Sequence, residues 1–481
     1  MSATAVPRAQ RGTLAALVAA GIAYALQQTL VIPALPVLQR DFDTTTTWIT
    51  WLFTGFLLVS AVATPVLGRL GDQFGKERLL LISLGVFLVG CVASIFAWNV
   101  WSLIVFRSIQ GVGGAVFPLA FAIIKDEFPA ERVGSAMGLV SSVFAVGGGL
   151  GLVLSGLIVD NASWRLLFVV GAVAVAVAAL LVWRFVPESP IRTPSRVDVP
   201  GVLLLSGGLI ALLLALTEAE SWGWGSGQTV GLLALAAVLL VAWVAFERRA
   251  AQPMVDVRML ANRTVLFTNL TAIAAGYAML GAFVLLPNFV QMPGDLPGEV
   301  ARLVDYGFDA SSTKAGLFLL PGALAGFLSG PLAGVLGRRY SARVPLVLGM
   351  TMATAGLVVL ALAHDEPWQI VVGMLVLGMG IPAAFAAMAK LIVDAVKPSE
   401  TGVASGMNTV MRTLGGVVGG QVGAAILSAD TIAQTGVPAE SAFATAFWVS
   451  AAMGLLAVVL AVFVGPRRRR AGAVQPAVEA A

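Results

Sequence analysis

The stretch Gly68-Arg69-Leu70-Gly71-Asp72-Gln73-Phe74-Gly75-Lys76-Glu77-Arg78 joins two long apolar runs. It compresses a carboxylate, three glycines and several cations into a connection too short for a folded loop. Gly68, Gly71 and Gly75 allow a tight turn with positive φ. Asp72 lies just ahead of the next apolar run, where a helix N-terminus would favour a carboxylate. Lys76 and Arg78 mark the face on which the turn lies. The stretch reads either as a hinge between two membrane helices or as a short turn carrying topological charge.

Composition supports the membrane setting. The 481 residues are 58% hydrophobic and 11% charged, whereas soluble domains carry about 25% charged residues. Apolar runs of about 20 residues, each long enough to cross a bilayer core, recur along the chain. Backbone polar groups there must be satisfied within the segment, which selects helices. A membrane β-barrel would instead alternate polarity over ~10-residue segments. The class is therefore an all-α polytopic membrane protein. The net charge of +4 reads as topology signals facing the lipid bilayer, not as a nucleic-acid surface. Cys91 stands alone in an apolar run, so no disulfide framework exists. His364 is the only histidine, which excludes a histidine relay or a metal site built from histidines. The first apolar run reads as a retained span, not a cleaved signal. No nucleotide-binding loop, metal cluster or nucleophile triad is visible, so no enzyme, cofactor or metal is expected.

Fourteen spans are expected: 12–35, 48–68, 79–98, 101–124, 134–158, 165–184, 199–217, 229–246, 265–288, 315–336, 344–363, 369–391, 402–428 and 442–464. An even number puts both termini on one side. Of 29 Lys and Arg, four (Arg40, Arg165, Arg302 and Lys314) fall in loops of one face, and Arg107 and Arg412 fall inside spans. The remaining 23 lie on the other face, Arg467 to Arg470 among them, and the positive-inside rule makes that face cytoplasmic.

The chain also repeats itself. Gly111 and Gly113 match Gly378 and Gly380; Gly147, Gly151 and Ser155 match Gly415, Gly419 and Gly423; Pro65, Gly68 and Leu70 match Pro331, Gly334 and Leu336. Spans 1–6 and 9–14 thus read as two parallel copies with an inserted pair between them, a plan that places a substrate site between the copies near the midplane. The expected units are a six-helix bundle over 1–184, a linker with the inserted helices over 185–264, a second six-helix bundle over 265–464 and a cytoplasmic tail over 465–481. Two loops are long: 185–198, and 289–314, whose Pro293, Gly294, Pro297 and Gly307 fit a cap or a tether equally.

The opening stretch resembles the signature loop between helices 2 and 3 of the major facilitator superfamily, G-x-x-x-D-[RK]-x-G-[RK]-[RK]. Gly68, Asp72, Gly75 and Lys76 match; Gln73 and Glu77 depart at two basic positions. The resemblance implies that Asp72 joins a charge-relay contact latching the cytoplasmic side closed, with Arg78 beside it. In the second copy Arg338 stands where Asp72 would align. "FRSIQGVGGA" in span 4 resembles the fourth-helix signature, in which the arginine, here Arg107, is linked to proton coupling; Gln110, Gly111 and Gly114 share its face. An Arg within a span is functional by default, although bonding to neighbouring carbonyls would give it a structural role. Arg412 lies in "MNTVMRTLGG", which resembles a signature of fourteen-span drug exporters. Gly147, Gly151 and Ser155 sit where the antiporter signature lies, with Leu152 replacing its proline, and simple packing serves equally.

Span 1 departs most. Gln28 stands where drug exporters often carry a membrane aspartate, and no Asp or Glu lies mid-span. Tyr24, Gln27, Gln28, Gln110, Asn269, Asn408, Gln421 and the two arginines make up the polar inventory. A cation would need a buried carboxylate to offset desolvation, so the expected substrate is small, lipophilic and neutral or anionic. The resemblance covers the whole chain and implies a monomeric fourteen-helix major facilitator of the drug:proton antiporter kind in the plasma membrane. The 24 Arg against 5 Lys fit a GC-rich, actinobacterial source. The proton gradient would drive efflux, with Asp72, Asp41, Asp43 and Asp160 as candidate titrating groups. An exporter or flippase of lipids and a transport-inactive sensor are the alternatives.

Overall fold

A computed structural model describes residues 8–189, 198–250, 252–293, 296, 300, 302–432 and 435–465. The arginines 467–470, the tail beyond 465 and most of the loop 185–198 lie outside them. Runs that cannot bond their amides to water close them internally. The described residues form fourteen long helices: α1 (Arg8–Thr29), α2 (Thr46–Phe74), α3 (Lys76–Ile95), α4 (Val100–Glu127), α5 (Ala130–Asn161), α6 (Arg165–Phe185), α7 (Val199–Trp222), α8 (Gly227–Glu247), α9 (Arg263–Val290), α10 (Ser312–Arg339), α11 (Arg343–Leu362), α12 (Pro367–Ala395), α13 (Thr401–Ala429) and α14 (Glu440–Val462). Among the described residues the one pairing of strand type is an isolated bridge, Thr431 to Pro438.

Among the described residues, twelve of these helices are long and apolar enough to cross a membrane. Fourteen spans are expected, and the fourteen long helices follow that order. Tyr24 and Gln27 in α1, and Thr268, Asn269 and Thr271 in α9, are all buried. Two expected spans also change shape. The first stops at Thr29, because Pro33 and Pro36 cannot extend a helix; a turn follows, then a short helix Leu35–Asp41. The fourth breaks into a 3₁₀ turn over Gly111–Ala115. A Cβ on Gly111 would lie 2.5 Å from the Phe56 carbonyl oxygen, and one on Gly113 would lie 2.8 Å from the Phe87 ring. The glycine run lets α4 press against α2 and α3.

Helix pairings in the first six recur eight helices later. α1 packs on α5 and α6, and α9 on α13 and α14; α3 packs on α6, and α11 on α14; α2 packs on α4, and α10 on α12. The two largest seams between the groups are α2 against α13 and α5 against α10. The inserted pair lies beside the first seam: α7 touches α2 and α13, and α8 packs on α7. The predicted small-residue stripes sit at helix contacts. A Cβ on Gly147 would meet the Ala25 Cβ at 2.6 Å, and one on Gly151 the Leu26 carbonyl oxygen at 2.7 Å. In the second group, Gly415 faces the Ile273 carbonyl, Gly419 would place a Cβ 2.6 Å from the Tyr277 carbonyl oxygen, and Gly423 faces Leu285. Ser155 is fully buried. The described part of the 289–314 loop folds back on α9, with the amides of Phe308 and Ala310 donating to the Val290 carbonyl at 3.2 and 3.1 Å.

Candidate functional site

The opening stretch is helix where a turn was expected. α2 runs through Gly68, Gly71 and Asp72 to Phe74, and only Gly75, at φ 119°, turns the chain. Asp72 therefore sits in the last turn of α2, where its own helix dipole disfavours a carboxylate. Its partner is a different helix N-terminus from the one expected. Asp72 Oδ1 accepts from the Gly402 amide and Oδ2 from the Val403 amide, each at 3.2 Å. These are first-turn amides of α13, left without intrahelical acceptors. Lys76 Nζ stands 3.7 Å from Asp72 Oδ1 and 2.5 Å from Asp126 Oδ2, and donates to Thr401 Oγ1 at 3.3 Å. Asp126 also accepts from Ser189 Oγ at 2.5 Å. Asp72 and Lys76 are buried, whereas Arg78 is exposed.

Gly68 makes this contact possible. A Cβ there would lie 2.6 Å from the Gly402 carbonyl oxygen, and one on Gly402 would lie 2.5 Å from that of Gly68. Gly68→Val should hold the α2–α13 seam open and abolish transport. Gly85→Val, where a Cβ meets nothing within 4 Å, should transport normally. Wild-type transport by Gly68→Val would show that the seam has slack. A second ion pair spans the same face: Lys125 Nζ, at the end of α4, lies 3.1 Å from Asp394 Oδ1 near the end of α12, and Lys390 also bonds Asp394. Arg338, the residue aligned with Asp72, donates to the Glu131 carbonyl in the first turn of α5 at 3.4 Å.

Arg107 is fully buried. Its Nη1 donates to Gln110 Oε1 at 2.7 Å and to the Gln27 carbonyl at 3.2 Å, its Nε donates to the Leu52 carbonyl at 3.4 Å, and the guanidinium lies 4.5 Å from the Phe56 ring centroid. Gln110 Nε2 in turn donates to Ser94 Oγ at 2.8 Å and to the Gly90 carbonyl at 3.1 Å. This knot joins α1, α2, α3 and α4 and lies away from the cavity described next. Lys cannot reproduce a planar fork that serves several acceptors. Arg107→Lys should destabilise the folded protein by about 3 kcal/mol, through lost charge-assisted bonds; an unchanged thermal melt in detergent would refute this.

A cavity opens between the two helix groups, in the half of the molecule away from Asp72. Gln28, Phe144, Leu152, Met279, Met374 and Phe385 are among its walls, and it is partly open to solvent. A narrower extension shares Gln28, Phe144 and Met279 and adds Tyr24, Thr409, Thr413 and Arg412. Arg412 lies 4.4 Å from the Phe385 ring centroid and 5.2 Å from that of Phe144. Tyr24 Oη and Ser60 Oγ share a hydrogen bond of 2.9 Å. Among the described residues, no carboxylate lines either space, and Arg412 is the sole formal charge. Of the predicted polar residues, Tyr24, Gln28 and Arg412 meet at this wall, and Gly378 joins them; Asn269 and Asn408 bond each other at 2.9 Å. Phe144 and Phe385 were missed, because an aromatic facing a cavity looks in sequence like one facing lipid.

Two helical groups closed at one face around a central cavity define a membrane transporter of the alternating-access type. The chain belongs to the major facilitator superfamily: the family model described as Major Facilitator Superfamily matches residues 17–420 and 271–481. It is 26% identical over 400 residues to the tetracenomycin C resistance and export protein of Streptomyces glaucescens, covering 82% of this chain and 72% of that one. It is 29% identical over 407 residues to multidrug resistance protein Stp of Mycobacterium tuberculosis, covering 84% and 73%. The human organic anion transporter MFSD10 (TETRAN) shares the fold, at a TM-score of 0.64 and 14% identity over 95% of this chain and 100% of that one.

Proposed function

We propose that this protein exports lipophilic small molecules, neutral or anionic in preference to cationic, working as a monomer in the bacterial plasma membrane with the Asp72 face toward the cytoplasm. The observation that carries the substrate class is the cavity wall: apolar and aromatic, one guanidinium, no carboxylate. A cation entering would lose hydration with no countercharge. An anion would meet Arg412, whose guanidinium lies against two aromatic ring faces. The names of the relatives, which are resistance and export proteins, support outward transport of such compounds.

The cycle follows from the seams. The two six-helix groups rock about the cavity; the Asp72–α13 contact and the Lys125–Asp394 pair form when the latch face closes and break when it opens. Inward proton flow supplies the energy, with Asp72 or Asp160 as the candidate titrating group; Asp160 Oδ2 accepts from Thr313 Oγ1 across the α5–α10 seam at 2.9 Å. The test is transport in proteoliposomes with three probes of similar size: an anionic lipophile, its neutral ester and a monovalent cationic dye. The first two should be exported in response to an imposed pH gradient, the dye weakly or not at all. Fastest export of the dye would overturn the substrate class, and export indifferent to the gradient would overturn proton coupling.

A further inference from the structure

We propose that His364, Asp365 and Glu440 form a binding site for one divalent transition-metal ion of the Zn²⁺ kind. His364 and Asp365 follow the end of α11, and Glu440 opens α14. One ligand atom from each residue can be chosen so that all lie within 4.8 Å of one another, from which small side-chain rotations would bring them to the bonds of about 2.0–2.2 Å that a central ion takes. A histidine metal site built from several histidines is impossible in this chain; the fold instead gathers one histidine with two carboxylates.

The imidazole sets the chemistry. Its Nδ1 lies 2.9 Å from the Leu360 carbonyl oxygen, which can only accept, so Nδ1 carries a hydrogen and donates. In the neutral ring Nε2 then presents a lone pair. That lone pair is 3.2 Å from Glu440 Oε1, another acceptor. Two acceptors so placed need a cation between them, either a proton on Nε2 or a metal ion. Asp365 favours the metal: an imidazolium beside two carboxylates leaves one negative charge uncompensated, and a divalent ion leaves none. The Nδ1–H bond to a backbone carbonyl is also the outer-shell contact that orients ligating histidines.

The surroundings agree. The His364 ring is buried and set edge-on to Phe289 at 5.3 Å, while exposed Asp365 leaves an entry path. The corner is anionic: burial first, then the charges of Glu440 and Asp305, push the Tyr306 phenol up to about 12. One imidazole with two carboxylates suits Zn²⁺, Mn²⁺ or Co²⁺ better than Ca²⁺ or Mg²⁺. The ion would tie the α11–α12 turn to the start of α14, on the face opposite the Asp72 latch.

The test uses the full-length protein, purified through a tag without histidines, stripped with EDTA and dialysed against Zn²⁺ or Co²⁺ alone. The expected result is one ion per chain and a visible Co²⁺ absorption band, with Glu440→Gln and His364→Gln each weakening binding by about tenfold or more. Asp365→Asn, at an exposed position outside the packed core, should weaken it likewise and guards against misfolding of the other two. Zn²⁺ bound equally by wild type and Glu440→Gln, or no Zn²⁺ bound by wild type, overturns the proposal and leaves a plain His364–Glu440 ion pair.

Discussion

Asp72→Asn should cut transport by more than about tenfold while leaving the protein folded and in the membrane. The carboxylate accepts from two amides of α13 through its two oxygens, at 3.2 Å each. Asn keeps one acceptor and turns a donor toward the second amide. It also removes the negative charge that the α13 N-terminus favours and that Lys76 faces at 3.7 Å. Hydrogen bonds to a charged group contribute about 1.5–3 kcal/mol, so the closed latch face should lose a few kcal/mol against the open one. An equilibrium moves tenfold for every ~1.4 kcal/mol, enough to strand the transporter open on that face. The loss is conformational, and so it has a second readout. Ser405, buried in α13 near the seam, changed to Cys should be labelled faster in the Asp72→Asn background, with little background from buried Cys91. Wild-type transport by Asp72→Asn would mean that the contact is packing and nothing more.

Arg412→Gln should separate substrates by charge. Export of an anionic lipophile should fall by about tenfold or more, because an ion pair about 4 Å apart at an effective dielectric constant of 20 is worth several kcal/mol and Gln retains only a dipole. Export of the neutral ester should change by less than about twofold, since the aromatic walls remain. The rings of Phe144 and Phe385 lose a cation–π partner worth about 2 kcal/mol when desolvated, so some thermal destabilisation is expected alongside. An equal loss for both substrates would assign Arg412 to the fold or the conformational cycle and remove it from recognition.

These two residues show where sequence reading reached its limit. Asp72 was recognisable from its loop, and its preference for a helix N-terminus was sound chemistry. The helix was misassigned, because α3 begins four residues away whereas the Gly402 amide of α13 lies 330 residues away, and local spacing carries no information about the second. Arg107 and Arg412 looked alike, each a lone cation in an apolar span. The fold separates them: one is knotted to carbonyls and amides, the other stands at a cavity wall. The glycine stripes were legible because small residues at helical spacing have few other uses in a membrane. Their partners were not, since a contact on α1 or α9 depends on which helices become neighbours.

The sequence by itself determined the all-helical membrane class, the two-copy pattern and the carboxylate-poor interior, because hydropathy, repeat spacing and acid count are properties of the chain whatever its partners. Only the tertiary structure decided which amides Asp72 bonds, which arginine meets the cavity, and which helices the glycine stripes press against. Each is a matter of which surfaces face one another across the bundle, and in a bilayer that is set by close packing of small residues and by satisfying buried polar groups, not by the order of residues along any one helix.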